Sequence, residues 1–220
     1  MYNLIAYPHY TCGGLLCDIL NNTFTEPKEG DAPGAINSIQ HNLGKIGDTN
    51  NVLMEYDEQE IIDALYKIDQ PSGTWVGTHC HPNERLINEF DIIICVTTST
   101  FRSKIYRWAR AYYHFYKPLW EQYTDMDLID RARETAKNYL IPFEPINAPN
   151  VINLEFANVV ENSAEFIQIV NGNVILEKHL NRWKDINYFL YDEKFWNTEY
   201  SKRYYEAEYE QKLNKSYRYY

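Results

Sequence analysis

The sequence predicts an α/β fold, a central parallel sheet flanked by helices. Three observations carry that prediction. Short apolar runs at 3–7, 74–78, 91–97 and 151–156, with a weaker one at 52–55, alternate with helix-period patterns. The run DIIICVT at 91–97 is apolar at successive positions, as a strand covered on both faces must be. The chain opens as strand, glycine-bearing loop and apolar helix in MYNLIAYPHYTCGGLLCDIL, the start of a βα unit.

In chain order, 3–7 reads as a short buried strand, Pro8 to Gly14 as a tight polar loop, and 15–20 as the first turns of a helix. Residues 21–34 carry Pro, Gly and polar residues and read as a loop; 35–46 have helical character. Asp57 and Glu60 make a capping-box pattern ahead of Ile61, Ile62, Leu65 and Ile68, an amphipathic helix. Residues 71–73 turn into the strand of WVGTHCHP, and 83–90 form a short helix or loop. After the strand at 91–97, Ser99 or Thr100 caps a long helix, FRSKIYRWARAYYHFY, which Pro118 ends. On it Ile105, Trp108, Tyr112 and Phe115 share one face, and Arg107, Arg110 and His114 another. A helix over 125–139 and the Pro-rich connector IPFEPINAPN lead to the strand VINLEF, then to a helix from about Asn162 to Val170 that stops at Gly172. From Val174 the chain reads as helical and aromatic. Residues 1–193 are expected to form one α/β domain, with 194–220 a helical extension packed on it or trailing from it.

The 220 residues suffice for a core without disulfides. Twenty tyrosines crowd toward the C-terminal third. Lys and Arg number 21 against 31 Asp and Glu, a net charge of −10, which argues against nucleic acid and anionic membrane as partners. An anionic ligand must therefore meet a local positive pocket. Cys12, Cys17, Cys80 and Cys95 have no disulfide-framework spacing, and Cys95 reads as a small core residue. Met1 leads almost directly into a strand, and no apolar run approaches the ~18 residues of a membrane span. A cytoplasmic protein with reduced thiols is expected; the sequence sets no oligomeric state.

Three stretches carry chemistry. The first is the loop Pro8, His9, Tyr10, Thr11, Cys12, Gly13, Gly14, Leu15. A strand running through such a loop into a helix converges backbone N–H groups and the positive helix end on one point, an anion site. It is no Walker A loop, since GxxxxGK[ST] is absent. His9 is its only side chain able to become cationic, and a turn serving only the chain reversal is the alternative. The second is GTHCHP, 77–82, at a strand end. His79 or His81 there is placed to act as general base, or else only caps a turn. The third runs from Thr97, Thr98, Ser99 and Thr100 into a helix bearing Arg102, Lys104, Arg107 and Arg110. Hydroxyls and N–H groups at a helix start bind phosphate; a solvated basic helix face is the alternative.

Taken together, YPHYTCGGLL, THCHP and ICVTTSTFRSKIYRWARAYYHFYKPLW resemble, in the same order, three segments of the sulfotransferases that use 3′-phosphoadenosine-5′-phosphosulfate. Those segments are a YPKSGTTWL-type loop for the 5′-phosphosulfate, a THLP-like segment with the catalytic His, and RNPKDVAVSYYHF, whose Arg and Ser hold the 3′-phosphate. The resemblance covers 2–20 and 74–120, and 150–171 loosely. It implies a P-loop nucleoside-triphosphate-hydrolase-like fold and sulfuryl transfer from that cosubstrate to a hydroxyl or amine acceptor on a small molecule or glycan, without a metal. His79 would be the base, with His81 competing for that role. His9 stands where the family's loop has Lys. Anchored on the strand end, the family's Arg falls at Thr97; anchored on YYHF, it falls near Ser103 and the family's Ser at Ala111. Thr97, Ser99, Arg102, Arg107 and Arg110 are then the candidate cofactor-binding residues. Two other readings stand beside this one. His9 and Cys12 with His79, Cys80 and His81 would suit zinc if the loops meet. A non-catalytic binding or structural protein on the same scaffold also fits.

Overall fold

The computed structural model describes residues 1–24, 59, 62, 63, 66, 71–111 and 142–192. The weak strand at 52–55, the helices at 35–46 and 125–139, most of the one at 57–68, the last five residues of the long helix and the extension from 194 lie outside the described residues, as does most of the 21–34 loop. The described elements are β1 (Asn3–Ala6), α1 (Gly13–Leu20), β2 (Trp75–Thr78), α2 (Glu84–Ile87), β3 (Ile93–Thr97), α3 (Phe101–Ala111), β4 (Val151–Glu155), α4 (Phe156–Val160), α5 (Ala164–Val170) and α6 (Leu176–Ile186). A 3-10 turn, Tyr188–Tyr191, follows α6.

The four strands form one parallel sheet in the order β2-β1-β3-β4, flanked by helices, an α/β architecture. Residue alternation sends Leu4, Ala6, Ile93 and Cys95 to one face, where they pack with Val76, Leu86, Phe90 and Phe143. Ile5, Tyr7, Ile94 and Val96 go to the other, against Leu15, Leu16, Ile19, Trp108, Phe156, Phe166 and Trp183. Every residue of β3 is buried, as its apolar run requires. Because β1 is flanked by β2 on one side and β3 on the other, the described strand order reverses direction beside β1. Open α/β sheets bind ligands at such a point, outside the C-terminal strand ends.

Asparagines close both ends of the described sheet. Asn21, just after α1, donates its side-chain amide to the Trp75 carbonyl and accepts from the Trp75 N–H, both at 2.9 Å. At the other end Asn153 of β4 accepts from Ile146 N–H at 2.8 Å and donates to its carbonyl at 2.9 Å. Each amide imitates a neighbouring strand's backbone.

The expected strands extend one or two residues beyond the observed ones. The larger difference follows β4. A helix, α4, starts at once at Phe156, and the chain resets at Asn162, whose φ of 51° no helix tolerates. Ser163 then caps α5 by accepting from Phe166 N–H at 3.3 Å. The expected helix start near Asn162 is thus the second of two. Gly172, at φ 89°, lies just past α5 where the sequence places its stop.

One contact fixes how α1 meets β1. The Tyr7 ring lies flat against Gly13, so that a Cβ on Gly13 would sit 2.0 Å from the ring. Gly77 of β2 lies on the same ring, where a Cβ would be 3.0 Å away. Gly13→Ala is expected to lower stability by about 1–3 kcal/mol or more through overpacking. A denaturant midpoint falling with unchanged slope measures this.

Candidate functional site

At the C-terminal end of β1 the backbone alternates. Tyr10 has φ 69° and Cys12 φ 62°, both left-handed, while Thr11 and the first helical residue Gly13 do not. Alternating signs turn successive N–H groups toward one concavity, the geometry of an anion nest. Thr11 braces the turn by donating its hydroxyl to the Pro8 carbonyl at 2.6 Å. Cys12 caps α1 without a side-chain bond, and its carbonyl accepts the first helical bond, from Leu16 N–H at 3.1 Å. The N–H groups of Gly13, Gly14 and Leu15 precede that bond and are buried, with the helix dipole behind them.

Two arginines of α3 reach this loop. Arg107, 3% exposed, donates Nε to the His9 carbonyl at 2.8 Å. Arg110, 6% exposed, donates Nε to Asn187 Oδ1 at 3.0 Å, lies 5.1 Å from the Trp183 ring centre, and acts electrostatically on Cys12 and Tyr10. Burial pulls Arg110 below its ordinary value, yet a guanidinium stays charged. Among the described residues no carboxylate pairs with it. A buried cation beside converging N–H donors gives this loop a locally positive character in an otherwise acidic protein. The arginine face that the sequence sets apart from the apolar face is itself buried.

The imidazoles of His9 and His79 stack at 3.8 Å between centres, tilted by 26°. Strand-end loops of β1 and β2 thus meet. His79 Nδ1 lies 3.0 Å from the Tyr7 carbonyl. A carbonyl only accepts, so Nδ1 carries the hydrogen and Nε2 of the neutral ring carries the lone pair. The Tyr7 ring meets His79 edge-on at 4.4 Å and holds its plane. His81 is directed elsewhere. It is exposed, its Nε2 lies 2.9 Å from the Glu144 carbonyl, and its ring abuts Phe143 at 5.0 Å. Of the two histidines in THCHP, His79 joins the β1 loop and His81 joins the connector before β4.

The start of α3 is occupied from within. Glu155, last residue of β4 and paired with Thr97 of β3, extends its carboxylate over it. Oε1 accepts from the N–H groups of Ser99 and Thr100, each at 2.9 Å, and from the Ser99 hydroxyl. Oε2 accepts from the Ser103 hydroxyl at 2.6 Å. Burial alone would raise the Glu155 carboxyl, but these hydrogen bonds outweigh it and the group lies below its ordinary value. Thr97 is buried within β3. Arg102, exposed, pairs through Nε with Glu161 at 2.5 Å. Ser99 and Arg102 are therefore spent on internal carboxylates, whereas Arg107 and Arg110 serve the β1 loop.

For the zinc reading, among the described residues no three His, Cys, Asp or Glu side chains are grouped to hold a metal ion. The Cys12 thiol is buried, which pushes it up to about 12 against the lowering pull of Arg110, and Cys95 is likewise pushed to about 12 by burial. Neither is a thiolate at neutral pH. No described helix is long and apolar enough to cross a membrane.

Comparison with known proteins adds no relative. No family model, curated protein or solved structure matches this chain.

Glu155 is the site residue that sequence reasoning passes over; Ser103 enters it only as a register position of the resembled family, and Tyr7 only as the end of the first strand. Glu155 ends an apolar run, a pattern with no local chemical signal, and its partners lie more than fifty positions earlier. A depressed carboxyl adds stability above its unfolded-state value, near 4.5, and loses it as pH falls through the lower folded value. Glu155→Gln removes that titration. Wild type should lose stability below pH 4.5 more steeply than the variant, read from denaturant midpoints across an acid series.

Proposed function

We propose that the chain is a sulfotransferase-like transferase of P-loop-like build. It takes the phosphosulfate end of a nucleotide such as 3′-phosphoadenosine-5′-phosphosulfate and transfers the sulfuryl group to a hydroxyl or amine on a small molecule or glycan. The observation that supports this best is the meeting of one anion nest, two buried arginines and one oriented imidazole at a single sheet edge.

The chemistry follows from placement. The N–H groups of Gly13, Gly14 and Leu15 would hold the phosphosulfate oxygens, with Arg107 and Arg110 supplying fixed positive charge behind the loop. His79 Nε2 takes the proton from the acceptor hydroxyl as its oxygen forms a bond to sulfur. The bond from sulfur to the bridging oxygen breaks in line, and the electron pair leaves on the nucleotide phosphate. The Tyr7 carbonyl, bonded to Nδ1–H, stabilises the imidazolium that results. His9, stacked on His79, lines the same spot from the loop, where the resembled family places a lysine. The buried arginines would carry the charge that lysine supplies elsewhere.

A non-catalytic binding protein on the same scaffold is the second reading. Glu155 favours it, because it takes up the N–H and hydroxyl of Ser99, a residue that the resemblance assigns to the cofactor.

Calorimetric titration with adenosine 3′,5′-bisphosphate tests the nucleotide site. Micromolar binding that weakens in Arg110→Met or His9→Ala is expected, and no binding at millimolar ligand overturns the proposal. His79→Ala should keep that binding and lose about 10²–10⁴-fold in turnover with a phosphosulfate donor. Binding without turnover in the wild type would establish the second reading.

A further inference from the structure

We infer that Glu155 restricts this sheet edge to one anionic group, so that the site takes a nucleoside 5′-phosphosulfate whose 3′ position is not read as a phosphate. The inference rests on the nucleotide reading above and narrows its substrate class.

The register sets the layout. Ala6 pairs with Cys95, and Thr97 with Glu155, so the loops after β1 and β3 and the end of β4 lie side by side at one edge. Two helix starts face that edge, α1 behind the Tyr10–Cys12 nest and α3 behind Ser99 and Thr100. They differ in charge. At α1 the N–H groups of Gly13, Gly14 and Leu15 have no described acceptor, and two buried arginines stand close by. At α3 a carboxylate already collects the Ser99 and Thr100 N–H groups together with the Ser99 and Ser103 hydroxyls. The Ser103 N–H is taken as well, by Thr100 Oγ1 at 3.2 Å. Arg102, the nearest basic residue on the first turn of α3, is paired with Glu161.

A phosphate brought to the start of α3 would meet a carboxylate and find its donors occupied. To bind there it must displace Glu155 into water or share the place with it, and like charges at contact repel. Among the described residues no carboxylate accepts from the Gly13, Gly14 or Leu15 N–H groups at α1. The 5′ end of a nucleotide therefore gains from this edge and a 3′-phosphate gains nothing. Glu155 acts here as a specificity-determining residue by exclusion.

Calorimetry of the whole chain with adenosine 5′-phosphate and adenosine 3′,5′-bisphosphate decides it. Dissociation constants within about threefold of each other are expected for the wild type. In Glu155→Ala, which removes the carboxylate, the bisphosphate should bind at least about tenfold tighter than it does to wild type, with the monophosphate unchanged. If the variant does not fold, the wild-type pair decides alone. A bisphosphate that binds wild type about tenfold tighter than the monophosphate overturns the inference and leaves the proposed transferase standing. Failure of both ligands to bind overturns the two together.

Discussion

Tyr7 couples the sheet to the site, and the remaining geometry depends on it. Its N–H donates to the Thr78 carbonyl at 3.0 Å and carries the β1–β2 pairing one residue past the strand. Its carbonyl orients His79. Its ring occupies the space that side chains at positions 13 and 77 would need, and so brings α1 onto β1 and β2 at van der Waals distance. A smaller residue would leave a cavity against α1, and a larger Gly13 would push α1 away. Either change moves the N–H groups of Gly13 and Gly14 relative to the His79 ring. The glycines of the opening loop therefore do more than relax a turn. Gly13 has helical φ and is required by contact rather than by backbone conformation.

That distinction bears on how much of the molecule was legible in its sequence. The four described strands and their parallel arrangement follow from local apolar runs separated by helical patterns, and β3 was readable as central because its apolar positions do not alternate. The meeting of the β1 and β2 loops was legible too, since parallel neighbours end on the same side. His9 and His79 are neighbours for that reason. The rest depends on partners distant in sequence. Arg107 and Arg110 look like a solvated face because charge predicts exposure on average. Their burial follows from Asn187, Trp183 and the His9 carbonyl, none of which is local to α3. Glu155 closes VINLE with no pattern that sets it apart, and its function exists only because β4 lies beside β3. What the sequence reading lacks is α4, Phe156–Val160, which starts directly from the strand; Asn162, in the left-handed region, separates it from α5, the helix expected to start near there.

Charge placement is where the fold and the proposed chemistry meet. Burying Arg110 with no carboxylate paired to it among the described residues costs solvation that Asn187 and the Trp183 face only partly return. Replacing such a group by an apolar one of similar size is often neutral or stabilising, so stability alone does not account for it. In the proposed reading an anion at the β1 loop would supply a counter-charge where the loop's donors converge. Glu155 is the complementary case. Its cost of burial is met within the chain by four donors, which leaves the start of α3 neutralised with no ligand needed. Among the described residues, the donors at the start of α3 have acceptors and the first N–H groups of α1 do not. In the proposed reading that difference decides where an incoming anion is stabilised, at the loop whose His9 stacks on His79, an imidazole whose Nδ1 the Tyr7 carbonyl holds.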